Sequence, residues 1–285
     1  MDNFAVFILT HGRPDRVYTY KTLRSHGYTG DIYLVIDDED ETENQYRQLY
    51  GDQVIIFSKA EIEPTIDFGD NLYQKRKAVL YARNAVFDIA ESIGVEYFLV
   101  LDDDYHDFRW KFDQNLEYRD VMAKNLDAIF EAILDYYKSI PALTLALSQS
   151  GDFIGGRAGT FGKCVKLKRK AMNAFFCSIK RRFKFFGRIN EDVNAYVTLG
   201  SRGDLFLTTN HVAVFQKQTQ SNPGGLTDIY LDLGTYVKSF YSVMYSPSCV
   251  KVAVMGDGHD RLHHRISWNN AVPKILSGRF ASEKS

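Results

Sequence analysis

Two groups of carboxylates stand out by residue type and spacing. Asp102, Asp103 and Asp104 follow directly on the apolar run YFLVL, and Glu191 and Asp192 follow the turn-like GRIN. Three adjacent carboxylates repel one another, and a hard divalent cation with oxygen ligands, Mg2+ or Mn2+, is a ready means of holding them together. In extended chain Asp102 and Asp104 point to one side and Asp103 to the other, so the outer two can share one ion. A solvated acidic turn or a helix cap accounts for an isolated DDD equally well. Glu191 and Asp192, at the start of a predicted helix, also suit the positive end of its dipole as plain capping chemistry.

Other residues could complete a site. THGRP, Thr10 to Pro14, turns a first strand into a helix, and such a turn can receive a nucleotide, which makes Thr10, His11 and Arg13 candidates for holding one. In DDEDE, Asp37 to Glu41, an acid such as Asp37 could accept a hydrogen bond from a base or ribose, although acids there also simply start a helix. Arg76 and Arg83 fall on the apolar stripe of a predicted helix, where an arginine needs an anionic partner. Arg76 reads as a structural pair, and Arg83 with its neighbour Asn84 as site residues. GDGHDRLHHR, Gly256 to Arg265, holds His259, His263 and His264, any of which could give a nitrogen ligand, although paired histidines on a surface turn are the commoner case. Lys163 to Arg188 carries ten Lys or Arg and no acid, with phenylalanines interleaved. That mixture suits a nucleic-acid surface, with Lys180, Arg181, Arg182, Lys184 and Arg188 as phosphate contacts, and equally a strand pair with its phenylalanines turned inward.

The elements that must position these residues are legible from periodicity. Strands are predicted at Phe4 to Leu9, Ile32 to Ile36, Val54 to Phe57 and YFLVL, a βαβαβ pattern in which the aspartates lie at a carboxyl strand end, where open parallel sheets bind ligands. Helical spacing runs from Asn71 to Ile93, with Leu72, Val79, Val86, Ala90 and Ile93 on one stripe. A second helix is predicted from about Arg119 to Ser139, carried by Met122, Leu126, Ile129, Ile133 and Tyr137. Tyr105 to Tyr118 reads as irregular, Leu143 to Leu147 as a strand, and the glycine-rich loop after it lacks the GxxxxGK[ST] of a P-loop. Leu205 to Thr209 and His211 to Phe215 read as two antiparallel strands. TQSNPGGLT, Thr219 to Thr227, is a candidate mobile lid or acceptor-binding loop. Ile229 to Tyr245 reads as a helix, Val250 to Val254 as a strand, and residues 266–285 as a tail.

Composition bounds the class. At 285 residues and 45% hydrophobic the chain can bury a sizeable core. The net charge of -1 provides no global field for polyanions, so any such surface is local. Three cysteines without CxxC spacing fit core thiols in a reducing compartment. No basic leader and no run of about 18 apolar residues is visible, so a soluble, cytoplasmic protein with no membrane contact is expected.

Several stretches resemble one family. ILTHGRPDR, the ARN of Ala82 to Asn84, LDDDY and KCVKLKRKAMNAFFCSIKRRFKFFGRINEDVNAY are similar to the TET-associated glycosyltransferases of bacteriophages, from residue 5 to about 215. The resemblance implies a GT-A fold: an α/β, Rossmann-type mixed sheet flanked by helices, with a smaller antiparallel acceptor-side sheet. Residues 1–105 would form the nucleotide-sugar half and 140–265 the acceptor half of a single domain. It further implies transfer from a nucleotide-diphosphate sugar, a UDP-sugar above all, to a hydroxymethylated base in DNA such as 5-hydroxymethylcytosine, in the host cytoplasm. Asp102 and Asp104 would then hold Mn2+ or Mg2+, with Asp102 and Asp103 against the nucleotide. Glu191 and Asp192 would be the family's paired acids, the aspartate serving as acceptor base. One of His259, His263 and His264 would be the carboxy-terminal metal ligand. The residue types suit such a transfer, because a departing diphosphate needs a metal and cations and the acceptor hydroxyl needs a base.

Other classes compete. A nucleic-acid-binding protein with a vestigial pocket would keep the basic stretch without needing acids at two element ends. A nucleotidyltransferase would use a similar sheet and metal but usually a glycine-rich first loop, and THGRP has one glycine. A glycosyltransferase acting on a small molecule or glycan would need no basic surface, and phosphatase-type DxD chemistry belongs on the first strand. Sugar identity, stereochemical outcome and oligomeric state are not written in these residues.

Overall fold

The computed structural model describes residues 3–71, 76, 78–153, 155–158, 164–216, 237–255 and 261–280. In chain order, β1 (Phe4–Leu9) passes through a 3-10 turn at Pro14–Arg16 into α1 (Tyr18–Ser25) and β2 (Asp31–Asp37). Next come α2 (Glu43–Tyr50), β3 (Val54–Phe57), the short α3 (Lys59–Ile62), α4 (Leu80–Ser92) and β4 (Tyr97–Asp102). They are followed by β5 (Tyr105–Phe112), β6 (Tyr118–Met122), α5 (Leu126–Ser139) and β7 (Thr144–Gln149). The second half holds β8 (Val165–Lys166), β9 (Phe175–Ser178), α6 (Glu191–Ser201) and β10 (Phe206–Gln216). After it come α7 (Val237–Tyr245), β11 (Val250–Met255), β12 (Arg261–Ile266) and α8 (Trp268–Ala271).

One large mixed sheet runs in the order β3-β2-β1-β4-β9-β7-β10-β5-β6, with β8 on β10, while β11 and β12 form a separate antiparallel ribbon. β3, β2, β1 and β4 are parallel, and β9 lies antiparallel between β4 and β7. Because β10 is again parallel to β7, the carboxyl ends of β1, β2, β4, β7 and β10 share one edge. β1 is buried along its whole length, since the sheet is covered on both faces. Ala5, Phe7 and Leu9 pack into a core with Val86 and Phe87 of α4 and Val193 and Val197 of α6. Phe4, Val6 and Ile8 pack on the other side with Leu23 of α1 and Phe130 and Leu134 of α5. Two-faced burial is what makes such strands read as unbroken apolar runs. The parallel order reverses between β1 and β4, and Leu9 stands in register with Asp102 at that crevice.

The structure differs from the sequence expectation in several elements. α4 starts at Leu80 rather than Asn71, and Leu72 lies outside the described residues. Arg76 precedes the helix and pairs with Glu39 and Glu63, as its structural reading required. The stretch expected to be irregular, Tyr105 to Tyr118, is mostly β5, in which Asp107, Arg109 and Lys111 alternate with Phe108, Trp110 and Phe112. β6 pairs its Met122 with Arg109, so α5 begins only at Leu126. The two strands expected around Asn210 are one, β10, whose register slips between Thr209 and Ala213. Residues after 266 are not simply a tail, because Trp268 stacks on Tyr196 of α6 at 5.9 Å and Ser277 N–H donates to the Gly203 carbonyl. Thr219 to Thr227 and the first part of the helix expected from Ile229 lie outside the described residues. Cys177 and Cys249 are buried thiols, whereas Cys164 is exposed. No helix among the described residues is long and apolar enough to cross a membrane.

Candidate active site

The β4–β5 turn is shaped by the first turn of α1. Thr19 Oγ1 donates to the Asp102 carbonyl at 2.6 Å and accepts from Tyr105 N–H at 2.9 Å, while Thr19 N–H donates to the Asp103 carbonyl. The three carboxylates thereby part. Asp103 is buried toward β1, where its Oδ2 accepts from Thr10 Oγ1 at 2.7 Å and pairs with Arg13 Nε at 2.9 Å. Asp102 faces the other way and takes Arg83 Nη2 at 3.1 Å. Asp104 Oδ1 is buried with no hydrogen-bond partner. Burial, and repulsion from the neighbouring acids over the opposing pull of Arg83, raise Asp102 to about 7. Burial and Asp103 together raise Asp104 to about 6. Each carboxyl is therefore short of positive charge.

Beside this turn the loop after β1 is tied to the ends of β2 and β3. His11 Nδ1 donates to Asp37 Oδ2 at 2.8 Å, Lys59 Nζ meets Asp37 Oδ1 at 2.8 Å, and Gly12 N–H donates to Asp40 Oδ2 at 2.7 Å. Gly12 sits at φ +68, a conformation that strains residues with a Cβ. Burial alone would raise Asp37, but the hydrogen bonds from His11 and Lys59 outweigh it and hold the carboxyl at about 2. Thr10, His11, Arg13 and Asp37 are thus brought together, although both oxygens of Asp37 already have partners inside the protein.

Arg83 is the bridge between the two acidic groups. Fully buried on α4, it reaches Glu191 Oε1 through Nε at 2.8 Å, Asp102 through Nη2, and Asn173 Oδ1 through the same Nη2 at 3.0 Å. Its guanidinium lies over the rings of Phe175 and Phe185, at 5.5 and 5.8 Å from their centroids. Burial opposes its charge, and Asp102 and Glu191 more than restore it, so its proton is held more firmly than in a free arginine. Arg83 Nη1 remains buried without a partner.

The start of α6 is built by a strained turn. Gly187 at φ +82 and Asn190 at φ +57 reverse the chain, and a Cβ on Gly187 would run into Asn194 Nδ2. That amide group donates to the Phe186 and Ile189 carbonyls, both at 3.0 Å. Asn190 Nδ2 donates to the Lys238 carbonyl at 2.6 Å, which ties the turn to α7. Glu191 is spent on Arg83. Asp192 is buried, and its Oδ1 accepts from Val193 N–H at 2.7 Å. Burial and the adjacent Glu191 push the Asp192 carboxyl well above the ordinary carboxylate range.

The TET-associated glycosyltransferase family model matches residues 4–225, a span that includes both acidic groups and the bridge between them. The chain belongs to this family. It is a glycosyltransferase. No curated protein matches it. Among solved structures it is similar to glucosyl-3-phosphoglycerate synthase from Mycobacterium tuberculosis in complex with Mg2+ and uridine diphosphate, at 7% identity and TM-score 0.49, covering 92% of this chain and 87% of that one. The same synthase with Mn2+, uridine diphosphate and phosphoglyceric acid matches at 6% identity and TM-score 0.48, covering 92% and 86%.

Within this glycosyltransferase several expected site residues are placed elsewhere. Asn84 is turned away from the site: its Nδ2 donates to the Phe185 carbonyl and its Oδ1 accepts from Phe185 N–H, each at 3.0 Å, so it clamps the backbone on which Arg83 rests. The basic group is not at the acids. Ser178 pairs with Tyr97 at the amino end of β4, which puts the following Lys180 to Arg182 roughly 16 Å from Asp102 at about 3.3 Å per strand residue. Each of these cations is also occupied. Lys180 pairs with Glu96, Arg182 with Asp88 and Glu91, and Arg181 donates to the carbonyls that end α5. Lys184 donates to the Thr65 carbonyl, and buried Arg188 pairs with Asp70 at 2.9 Å. The inward-phenylalanine reading of this stretch holds for Phe175, Phe176, Phe183 and Phe185, all buried.

Of the histidines, His259 lies outside the described residues. His263 is exposed, with Nδ1 2.9 Å from the His264 carbonyl. Among the described histidines of this stretch, His264 reaches the α6 turn, its Nδ1 3.5 Å from Asn190 Nδ2. Burial first, then the neighbouring His263, Lys238 and Lys170, lower it to about 4, so it stands neutral and able to act as a nitrogen ligand. Thr19, Lys59 and Asn173 were missed by sequence reasoning. Each acts through a single hydrogen bond or ion pair fixed by the fold, for which residue type and spacing offer no signal.

Proposed function

We propose that this glycosyltransferase moves a sugar from a nucleoside diphosphate sugar, a UDP-sugar, to the hydroxyl of a modified base in DNA such as 5-hydroxymethylcytosine, with Mn2+ or Mg2+ at Asp102 and Asp104. The observation that carries this reading is the Arg83 bridge, which ties Asp102 at the end of β4 to Glu191, the neighbour of the buried Asp192. The polar atoms left over fit the group. Asp104 Oδ1 needs a cation and Arg83 Nη1 an anionic oxygen, and a metal nucleotide diphosphate offers both. Among the described residues no set of three or more side chains is arranged to hold a metal. The protein would supply two carboxylates, with His264, which reaches the α6 turn, as a candidate further ligand, and phosphate and water oxygens would fill the remaining positions, as is usual for Mg2+.

When bound, the metal would supply charge stabilisation for the departing diphosphate. Thr10, His11 and Arg13 would orient the nucleotide at the β1–β4 crevice, with Asp103 holding Thr10 and Arg13 in place. Arg83 would add a fixed positive charge beside the leaving group, and Asp192 would take the proton of the acceptor hydroxyl. Glu191 acts through Arg83 and is a positioning residue.

Calorimetry with UDP tests the metal. Binding is expected to be weaker in chelator than in Mn2+, and Asp104→Ala should erase that difference. Equal binding of UDP by the wild-type protein in both conditions would remove the metal from the site. The acceptor is tested by intact-mass analysis of a 5-hydroxymethylcytosine duplex incubated with the enzyme, Mn2+ and a panel of UDP-sugars. A gain of one glycosyl unit is expected. Donor hydrolysis with no gain on the DNA would assign the acceptor to another class of molecule.

A further inference from the structure

The β11–β12 ribbon lies outside the family-matched residues 4–225 and has two unlike faces. Lys251 stands opposite Arg265, Val252 opposite His264, and Ala253 opposite His263, so alternate residues share a face. Val250, Val252, His264 and Ile266 form the inner face. Val250 is 1% exposed, and His264 reaches the turn that opens α6. Ser239 Oγ of α7 donates to the Leu262 carbonyl at 2.9 Å, and the Trp268–Tyr196 stack fastens the base of the ribbon to α6. The ribbon is therefore held beside Asp192, two residues beyond Asn190.

The outer face carries Lys251, His263 and Arg265, all exposed. Like charges directly opposite each other on paired strands are destabilising, so the Lys251–Arg265 pair works against the ribbon's own stability. Among the described residues neither makes an ion pair, and the two strands contain no carboxylate; Asp257 and Asp260 lie in the connecting segment outside them. Lys238 on α7 likewise makes no ion pair among the described residues, and its charge is felt by both Asp192 and His264. This is the reverse of Lys180 to Arg188, where every cation is already engaged by the protein.

We infer that the outer face of the β11–β12 ribbon is the surface that grips the phosphate backbone of duplex DNA, with Lys251 and Arg265 as its principal contacts. The inference rests on the DNA acceptor proposed above and names the surface that presents it. Lys251 and Arg265 are register partners, about 5 Å apart at Cα, so their long side chains can reach neighbouring phosphates of one strand of a duplex. Phosphate contacts of this kind position the duplex without reading its sequence, and the neighbouring catalytic edge then selects the modified base.

Fluorescence anisotropy with a 5-hydroxymethylcytosine duplex over a salt series tests it. Lys251→Gln with Arg265→Gln should flatten the log–log salt dependence of binding by about 0.9 per residue removed. It should also raise KM for the duplex while kcat and UDP affinity stay at wild-type values and Tm holds or rises slightly, because both side chains are exposed and their mutual repulsion is removed. Lys180→Gln with Arg182→Gln should leave the salt slope unchanged. If the ribbon variant binds and modifies the duplex with the wild-type slope, this assignment is wrong and the DNA acceptor stands. If the wild-type protein hydrolyses the UDP-sugar but neither binds nor modifies the duplex, the acceptor reading and the ribbon assignment fall together.

Discussion

Asp192→Asn is expected to lower transfer by about 10²- to 10⁴-fold, the usual contribution of a positioned general base, while leaving UDP binding unchanged. The substitution is nearly isosteric, and an amide oxygen can still accept from Val193 N–H as Asp192 Oδ1 does. The local helix start is thereby preserved, and what disappears is the ability to take a proton. In the wild type, kcat should fall as the pH drops through the raised pKa of Asp192, and that limb of the profile should be absent from the residual activity of the variant. Stability should move the other way. A carboxyl whose folded pKa lies above its unfolded value binds its proton more tightly when folded, so its ionised form costs stability as the pH rises through that range. Near neutral pH the Asn variant should therefore melt at or above the wild-type temperature. A variant that loses activity and also several degrees of Tm would mark Asp192 as a structural cap instead.

The parallel half of the fold was legible because its strands are buried on both faces and its turns carry ordinary signals. Phe4–Leu9 and Val54–Phe57 match the predicted strands at both ends, and YFLVL runs straight into the acids as expected. The opposing directions of Asp102 and Asp103 also followed from strand alternation alone. What failed were segments whose pattern is set by tertiary partners. β5 keeps its period of two, with Asp107 and Arg109 on one side held by His26 and Asp120 and with Phe108 and Trp110 on the other, but strand-side charges that depend on such distant partners read as loop. The partners of the basic stretch were hidden for a related reason. Composition counts charges but not their partners, and the carboxylates that occupy Lys180, Arg182 and Arg188 come from residues 70, 88, 91 and 96, far away in the chain. Arg83 was identifiable as an arginine on an apolar face that needed an anion. That it would need two, one at each end of the site, is a property of the fold.

Arg83→Met should be the most destabilising single change in the site, by about 3–5 kcal/mol, because it strands the carboxylates of Asp102 and Glu191 without their shared cation. The methionine can occupy the volume between Phe175 and Phe185, so the loss reflects stranded charge more than a cavity. Without the opposing pull of Arg83 the Asp102 carboxyl would hold its proton more tightly, which makes the variant relatively more stable in acid than at neutral pH. Adding Glu191→Met separates the two roles of the bridge. Replacing both members of a buried ion pair by apolar groups is often close to neutral, so the double variant should recover much of the lost Tm. Transfer should not recover, since Asp102 would still lack its partner and nothing would tie the β4 turn to the start of α6. Chemical denaturation of the wild type, both single variants and the double variant gives the coupling energy, and UDP binding with turnover gives the function. Wild-type stability in Arg83→Met would show that the bridge does not hold the acids together, and wild-type turnover in the double variant would show that the chemistry does not need it.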